Sequence, residues 1–112
     1  MINISNQHTS NYELIEVSGR LDTSNADLLD EPVQQLIDSG SQNFLFDMSR
    51  LDYISSYGIR IFVKLLRHQA KVSMVVRSDS VFSILKMTGL ENRLNIKRDI
   101  NEAKKIFTQI TQ

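Results

Sequence analysis

Two adjacent hydroxyl groups, those of Ser55 and Ser56, mark the place where chemistry could reside in this chain. They precede Tyr57, Gly58 and a run of apolar residues at helical spacing, so they meet the first turn of a predicted helix. A serine there can cap the helix by accepting a hydrogen bond from an amide two or three residues on, a contribution of about 1 kcal/mol. It can also carry a phosphate, which adds a charge of about −1.5 to −2 at neutral pH. One residue can serve both roles.

Enzymatic chemistry is poorly supported by the other residues. A nucleophilic serine needs a base and an orienting group, yet the two histidines are His8, near a strand end, and His68, near a helix end. A phosphoacceptor aspartate would be Asp47, but acidic metal ligands after the first strand and a lysine after a later strand are missing. We expect Asp47 and Asp22 to shape loops by binding backbone amides. Since no Gly-rich phosphate loop or metal-ligand spacing is present, we predict no enzyme activity and no cofactor or metal.

The composition favours one globular domain spanning residues 1–112. Hydrophobic residues make up 41% and charged residues 23%, and 13 basic and 13 acidic residues cancel. A chain without net positive charge is not expected to bind nucleic acid. The chain has no cysteine, and no segment approaches the roughly 20 apolar residues of a membrane span. The start of the sequence lacks the pattern of a secretory signal, so we expect a cytoplasmic protein that does not bind membranes.

Hydrophobic periodicity predicts the elements that position these residues, in the order β-β-α-β-α-β-α-β-α. Strands alternating with helices imply parallel pairing with right-handed crossovers, after an antiparallel first pair. The apolar run Phe44-Leu45-Phe46 suits a central strand covered on both faces. Pro32 should bend the first helix or fray its first turn. The predicted strands are residues 2–4, 12–17, 43–47, 72–76 and 94–96, and the first two predicted helices are residues 26–38 and 56–69. The third predicted helix carries Val81, Phe82 and Leu85 and is closed by Gly89, and the last carries Ala103, Ile106, Phe107 and Ile110.

The connections after the second and third strands are predicted to carry function. In open α/β sheets, functional loops lie at the carboxyl ends of the strands, which here are residues 19–25 and 47–58. Thr23, Ser24 or Asn25 could cap the helix that follows the first of these loops. Elsewhere, Ser78 or Asp79 should cap the third helix, and Asp99 with Glu102 resembles a capping box for the last. Met48 and Met87 are expected to fill the core.

Four segments of the sequence together match the pattern of a known family, in the expected order. They are Gly19-Arg20-Leu21-Asp22, Phe46-Asp47-Met48-Ser49, Tyr53-Ile54-Ser55-Ser56-Tyr57-Gly58-Ile59 and Thr88-Gly89-Leu90. On these residues the chain resembles STAS domains (sulfate transporter and anti-sigma factor antagonist) over nearly its whole length. The likeness implies an α/β fold with a mixed sheet of four or five strands and about four helices packed mainly on one face. It also implies a bacterial regulatory role, in which an unphosphorylated antagonist binds an anti-sigma factor, often a serine kinase, and a serine/threonine phosphatase resets the system.

One residue departs from the pattern of the family. Many antagonists have Asp-Ser-Ser-Gly with the phosphorylated serine next to the glycine, and here Tyr57 occupies that place. The resemblance then implies Ser56 as the first candidate for phosphorylation and Ser55 as the second. The alternative is a constitutive binding or scaffold module that is not phosphorylated, in which Tyr57 provides an aromatic contact. The residues expected to bind a partner are Asp22, Thr23, Ser24, Asn25, Tyr53, Tyr57, Gly58, Arg60 and Lys64.

Overall fold

A five-stranded sheet and four helices make up the computed structural model, which describes residues 1–108. Ile110, which we expected on the last helix, lies outside the described residues. The elements are β1 (Ile2–His8), β2 (Glu13–Leu21), α1 (Ala26–Asp38), β3 (Asn43–Ile54), α2 (Ser56–Arg67), β4 (Lys71–Val76), α3 (Asp79–Met87), β5 (Ile96–Lys97) and α4 (Ile100–Thr108).

The strands are ordered β1-β2-β3-β4-β5, so the apolar strand β3 lies at the centre of the sheet as predicted. β1 and β2 are antiparallel, whereas β2, β3, β4 and β5 pair in parallel. The main core cluster contains residues of α1, α2 and α3 on one face of the sheet. A smaller cluster beneath α4 lies on the other face. These features confirm the predicted α/β fold with a mixed sheet and helices mainly on one face.

β3 is longer than the sequence indicated, because it continues from residue 47 to Ile54 where we predicted a loop. Its pairing with β2 is irregular at two points: Glu16 and Ser18 face Asp47 and Arg50, so β3 carries an extra residue. A second irregularity follows Gly19. Each bulge breaks the alternation of buried and exposed residues. The pattern of a strand is therefore hidden in this half of β3, and the strand leads directly into α2 instead of into a loop.

The main core is built around aromatic and branched side chains of β2, β3 and the helices. Phe46 and Phe62 are fully buried, with ring centroids 4.9 Å apart in an edge-on arrangement. On the opposite face, Ser73 is completely buried and donates a hydrogen bond of 2.8 Å to the carbonyl of Ala103, which ties β4 to α4. Met48 is buried as expected, but Met87 is 85% exposed at the end of α3, so its predicted place in the core is wrong.

The helix boundaries follow their capping residues. Ser78 caps α3 by accepting a bond from the amide of Val81, and the Asp99 carboxylate accepts bonds from the first amides of α4. α1 runs from Ala26 to Asp38 without interruption at Pro32. α2 ends at Arg67, two residues before its predicted end, and β5 is displaced from residues 94–96 to Ile96–Lys97. Across residues 1–108, no helix combines the length and apolar character needed to cross a membrane.

Candidate functional site

The junction between β3 and α2 places Ser55 at the helix N-cap. Its amide donates to the carbonyl of Leu21 at 2.9 Å, which joins the ends of β2 and β3. Its hydroxyl accepts a bond of 3.3 Å from the amide of Gly58, and its backbone is extended, as N-cap geometry requires. Ser55 is half-buried. The capping role that we predicted for one of the two serines therefore belongs to Ser55.

Ser56 is the first residue of α2 and is exposed. Its hydroxyl makes no hydrogen bond to any residue of the described part of the chain. The strand below it and the helix that it begins are both anchored in the core through Ile54 and Ile59. The Ser56 hydroxyl therefore faces solvent on a helix turn that is fixed to the core, whereas the Ser55 hydroxyl is bonded to the amide of Gly58.

Gly58 is buried in the first turn of α2, directly above the ends of β2 and β3. A Cβ atom at this position would lie 2.9 Å from both Cγ and Cδ2 of Leu21 and 3.3 Å from Cγ1 of Ile54. These separations are too short for carbon atoms in ordinary contact, so only a glycine lets the helix pack this closely. Gly58 is among the residues predicted to bind a partner, and in the structure it lets the first turn of α2, which carries Ser56 and Tyr57, pack closely on β2 and β3.

The β2–α1 loop is held by the side chains of Asp22 and Asn25. Asn25 accepts a bond of 2.9 Å from the amide of Asp22 and donates one of 2.8 Å to the carbonyl of Arg20. Its side chain therefore closes the loop and does not cap α1. Asp22 accepts bonds from the hydroxyl and amide of Ser24, at 2.6 and 3.0 Å. The hydroxyl bond is the main cause that holds the pKa of the Asp22 carboxyl below its ordinary value.

Two tyrosines flank the serine pair, and each is covered by an arginine. The Arg20 guanidinium lies 4.4 Å from the ring centroid of Tyr53, and that of Arg60 lies 5.6 Å from the ring centroid of Tyr57. The two pairs lie on opposite faces of the sheet. Leu21 and Ile54, the neighbours of Arg20 and Tyr53, point into the main core on the side of α2. Because side chains alternate along a strand, Arg20 and Tyr53 point to the other face. Only the Tyr57–Arg60 pair shares its helix with the exposed serine. Tyr57 is 44% exposed.

A groove of about 410 Å³ between α1 and α2 begins beside Tyr57. Arg60, Lys64 and Arg67 form its basic side, and Lys64 makes a salt bridge to Asp30 of α1. Asp27 also lines the groove. Arg60 and Lys64 were among the residues predicted to bind a partner, whereas these two carboxylates of α1 were not predicted. Their spacing of three residues on one helix, opposite the basic stripe of the next helix, was the available signal.

The remaining predicted residues divide between this site and the opposite face of the sheet. Thr23 is exposed in the loop beside Asp22. Asp22 binds backbone amides in a loop, as predicted, whereas Asp47 binds the amide of Ser49 within strand β3. The prediction that Asp47 lies in a loop is therefore wrong, and in the parallel pairing of β3 with β2 it lies opposite Glu16. Across residues 1–108, no three His, Asp or Glu side chains are grouped so that they could hold a metal ion.

The chain belongs to the STAS domain family, whose family model matches residues 3–103. A crystal structure of an anti-sigma factor antagonist from Mycobacterium paratuberculosis is similar with a TM-score of 0.86 and 16% identity, over 96% of this chain and 94% of that one. The anti-sigma factor antagonist SpoIIAA in its unphosphorylated form gives a TM-score of 0.82 and 15% identity, over 98% and 100% of the two chains. The Bacillus cell fate determinant SpoIIAA in the phosphorylated form gives a TM-score of 0.69 and 13% identity, over 93% of this chain and 99% of that one. Comparison with curated proteins finds no match.

Proposed function

We propose that this protein is an anti-sigma factor antagonist that acts by partner switching in the bacterial cytoplasm. In its unphosphorylated state it binds an anti-sigma factor that is also a serine kinase, and phosphorylation releases that partner. The observation that carries the proposal is the exposed, unbonded hydroxyl of Ser56 on the first turn of α2, in a chain of the STAS family. That solved structures of one similar protein are named for its phosphorylated and unphosphorylated forms supports the same kind of switch here.

Ser56 is the better acceptor of the two serines. A kinase must place the hydroxyl in line with the γ-phosphate of ATP, and the Ser56 hydroxyl is free to adopt that position. The oxygen of Ser56 forms a bond to phosphorus as the bond to the ADP oxygen breaks, and the hydroxyl proton passes to a base of the kinase. Modification of Ser55 would instead disturb the bond to Gly58 that caps the helix. A serine/threonine phosphatase would hydrolyse the phosphoserine and restore the binding form.

The docking surface of the proposal consists of the β2–α1 loop, the start of α2 and the adjacent groove. Tyr57, Arg60 and Lys64 line this groove, and the Tyr57 ring is exposed, which supports the choice of this surface. A phosphate of about two negative charges would lie within that surface, and burying it unpaired against a partner would be costly. The protein itself is not an enzyme under this proposal, and it requires no metal, membrane or nucleic acid.

The test uses serine kinases of anti-sigma type from the source organism, purified one at a time, with ATP and phosphosite mapping. Wild type and Ser55→Ala should be phosphorylated, whereas Ser56→Ala should not. Phosphorylated protein should bind the kinase at least tenfold more weakly by calorimetry, which corresponds to about 1.4 kcal/mol. Failure of every kinase to bind the unmodified chain would refute the proposal.

The second candidate function is a constitutive binding module without phosphorylation. It is favoured by one observation, the presence of Tyr57 at the place where many antagonists have the phosphorylated serine. This hypothesis expects Ser56→Asp to leave the affinity for the partner unchanged and phosphosite mapping to find no modification. A clear loss of affinity in Ser56→Asp, with normal binding in Ser56→Asn as the uncharged control, would argue against it.

A further inference from the structure

We infer that Arg60 binds the phosphate on Ser56 within the same chain and leaves the Tyr57 ring when it does so. This inference rests on the proposed function, because it concerns the regulation of the same serine. It assigns to Arg60 a role that its place in the basic stripe does not reveal. Phosphorylation would then change the docking surface twice, by adding charge and by uncovering Tyr57.

The position of Arg60 on α2 favours this pairing. Ser56 and Arg60 are four residues apart, so their side chains are neighbours on successive turns of the helix. Side chains of a helix lean toward its N-terminus, and the guanidinium of Arg60 does so, since it lies 5.6 Å from the ring centroid of Tyr57, one turn earlier. The cation is therefore already held over the turn that carries Ser56.

The existing contacts of Arg60 are weak enough to be exchanged. It is exposed and has no carboxylate within ion-pair distance in the part of the chain described here. A contact between a cation and an exposed ring contributes roughly 0.5–1 kcal/mol. A guanidinium and a phosphate form charge-assisted, often bidentate hydrogen bonds, which are about twice as strong as neutral ones. The phosphate should therefore displace the ring as the partner of Arg60.

The other nearby cations are less suitable. Lys64 lies a further turn along α2 and is paired with Asp30 of α1. Arg67 lies eleven residues from Ser56, which is about 16 Å along the helix axis. Arg20 is stacked on Tyr53 on the opposite face of the sheet. Among these four cations, Arg60 is the one placed to reach the modified serine without a change of backbone, because it lies four residues from Ser56 on the same helix.

The experiment uses protein with phosphoserine installed at position 56 during synthesis, so that it does not depend on any kinase. The titration of the phosphate is followed by ³¹P NMR in the wild-type background, in Arg60→Gln and in Arg67→Gln as the matched control. Arg60→Gln should move the midpoint upward by about 0.5 pH unit, because a paired cation favours the dianion. Arg67→Gln should leave the midpoint unchanged.

A second measurement follows the ring protons of Tyr57. In the wild type, phosphorylation should shift these signals toward those of unphosphorylated Arg60→Gln, because the guanidinium has left the ring. Equal titration midpoints in wild type and Arg60→Gln would overturn the inference, as would a larger change in Arg20→Gln. A chain that no kinase modifies at Ser56 would refute the proposed function, and the result with installed phosphoserine would still decide the role of Arg60.

Discussion

Because the two serines have different roles, the same substitution should affect the stability of the fold differently at the two positions. Ser55→Ala removes the oxygen that accepts the bond from the amide of Gly58, and it leaves the amide of this buried residue without its partner. Ser56→Ala removes an exposed hydroxyl that has no partner in residues 1–108. We expect Ser55→Ala to destabilise the fold and Ser56→Ala to be nearly neutral.

The magnitude follows from the value of a helix cap. Loss of an N-cap side chain costs about 1 kcal/mol, within a range of roughly 0.5–2 kcal/mol. The unfolding entropy is about 2.1 cal/mol/K per residue, so a loss of about 1 kcal/mol over 112 residues lowers Tm by roughly 4 °C. An exposed substitution without such a feature stays within about 0.5 kcal/mol.

The assay is urea unfolding followed by circular dichroism, with thermal unfolding as a second measurement. Ser78→Ala is the matched control, because Ser78 caps α3 through a bond of the same length, 3.3 Å, to the amide of Val81. It should lose about as much stability as Ser55→Ala. Ser55→Asp should retain wild-type stability, since aspartate is also a good N-cap.

The reasoning would be refuted if Ser56→Ala were destabilised as strongly as Ser55→Ala. It would also be refuted if Ser55→Ala had wild-type stability while Ser78→Ala lost the expected amount. Either result would mean that the hydroxyls do not divide their roles as the structure indicates, and the choice of Ser56 as the phosphate acceptor would lose its basis. The urea m-values should be equal among the variants, so that midpoint differences report stability.

Three further predictions concern the surroundings of the serines. Gly58→Ala should lower the free energy of unfolding by about 1 kcal/mol net. Overpacking against Leu21 costs roughly 1–3 kcal/mol, which outweighs the gain of about 1 kcal/mol in helix propensity. Urea unfolding measures the difference, and unchanged or increased stability would contradict the prediction. Gly19→Ala should cost roughly 1–3 kcal/mol of stability, because the φ angle of Gly19 is +96° and a Cβ would lie 2.3 Å from the Met1 carbonyl oxygen. The amides of β1 should then exchange their hydrogens faster, and wild-type protection of β1 would count against this prediction. Ser24→Ala should raise the pKa of Asp22 toward its ordinary value of 3.8 in a ¹³C NMR titration, because it removes the hydroxyl bond. The depressed pKa means that the ionised carboxylate stabilises the fold above pH 3.8 and that this contribution is lost as the pH falls toward the lowered pKa; an unchanged titration in Ser24→Ala would show that the hydroxyl bond is unimportant.

The order of elements and the position of the serine pair could be predicted from local patterns. The helical periodicity of residues 26–38 and the apolar run of Phe44-Leu45-Phe46 each lie within one element, so neighbouring residues in the chain are sufficient to reveal them. The motif around Ser55 likewise placed two hydroxyls at a helix start, and its resemblance to the STAS family was confirmed. The sequence alone could not decide which of the two serines is the cap.

The rest was decided by contacts between elements. The second half of β3 is a strand because it pairs with β2. The two bulges in that pairing interrupt the alternation of buried and exposed residues by which a strand is recognised in the sequence. The Asn25 side chain does not cap α1, because it binds the amide of Asp22 and the carbonyl of Arg20 within the loop. The carboxylate of Asp30 entered the site only because α1 packs beside α2. Register, bulges and side-chain pairs depend on residues distant in the chain, and these become neighbours only when the fold has formed.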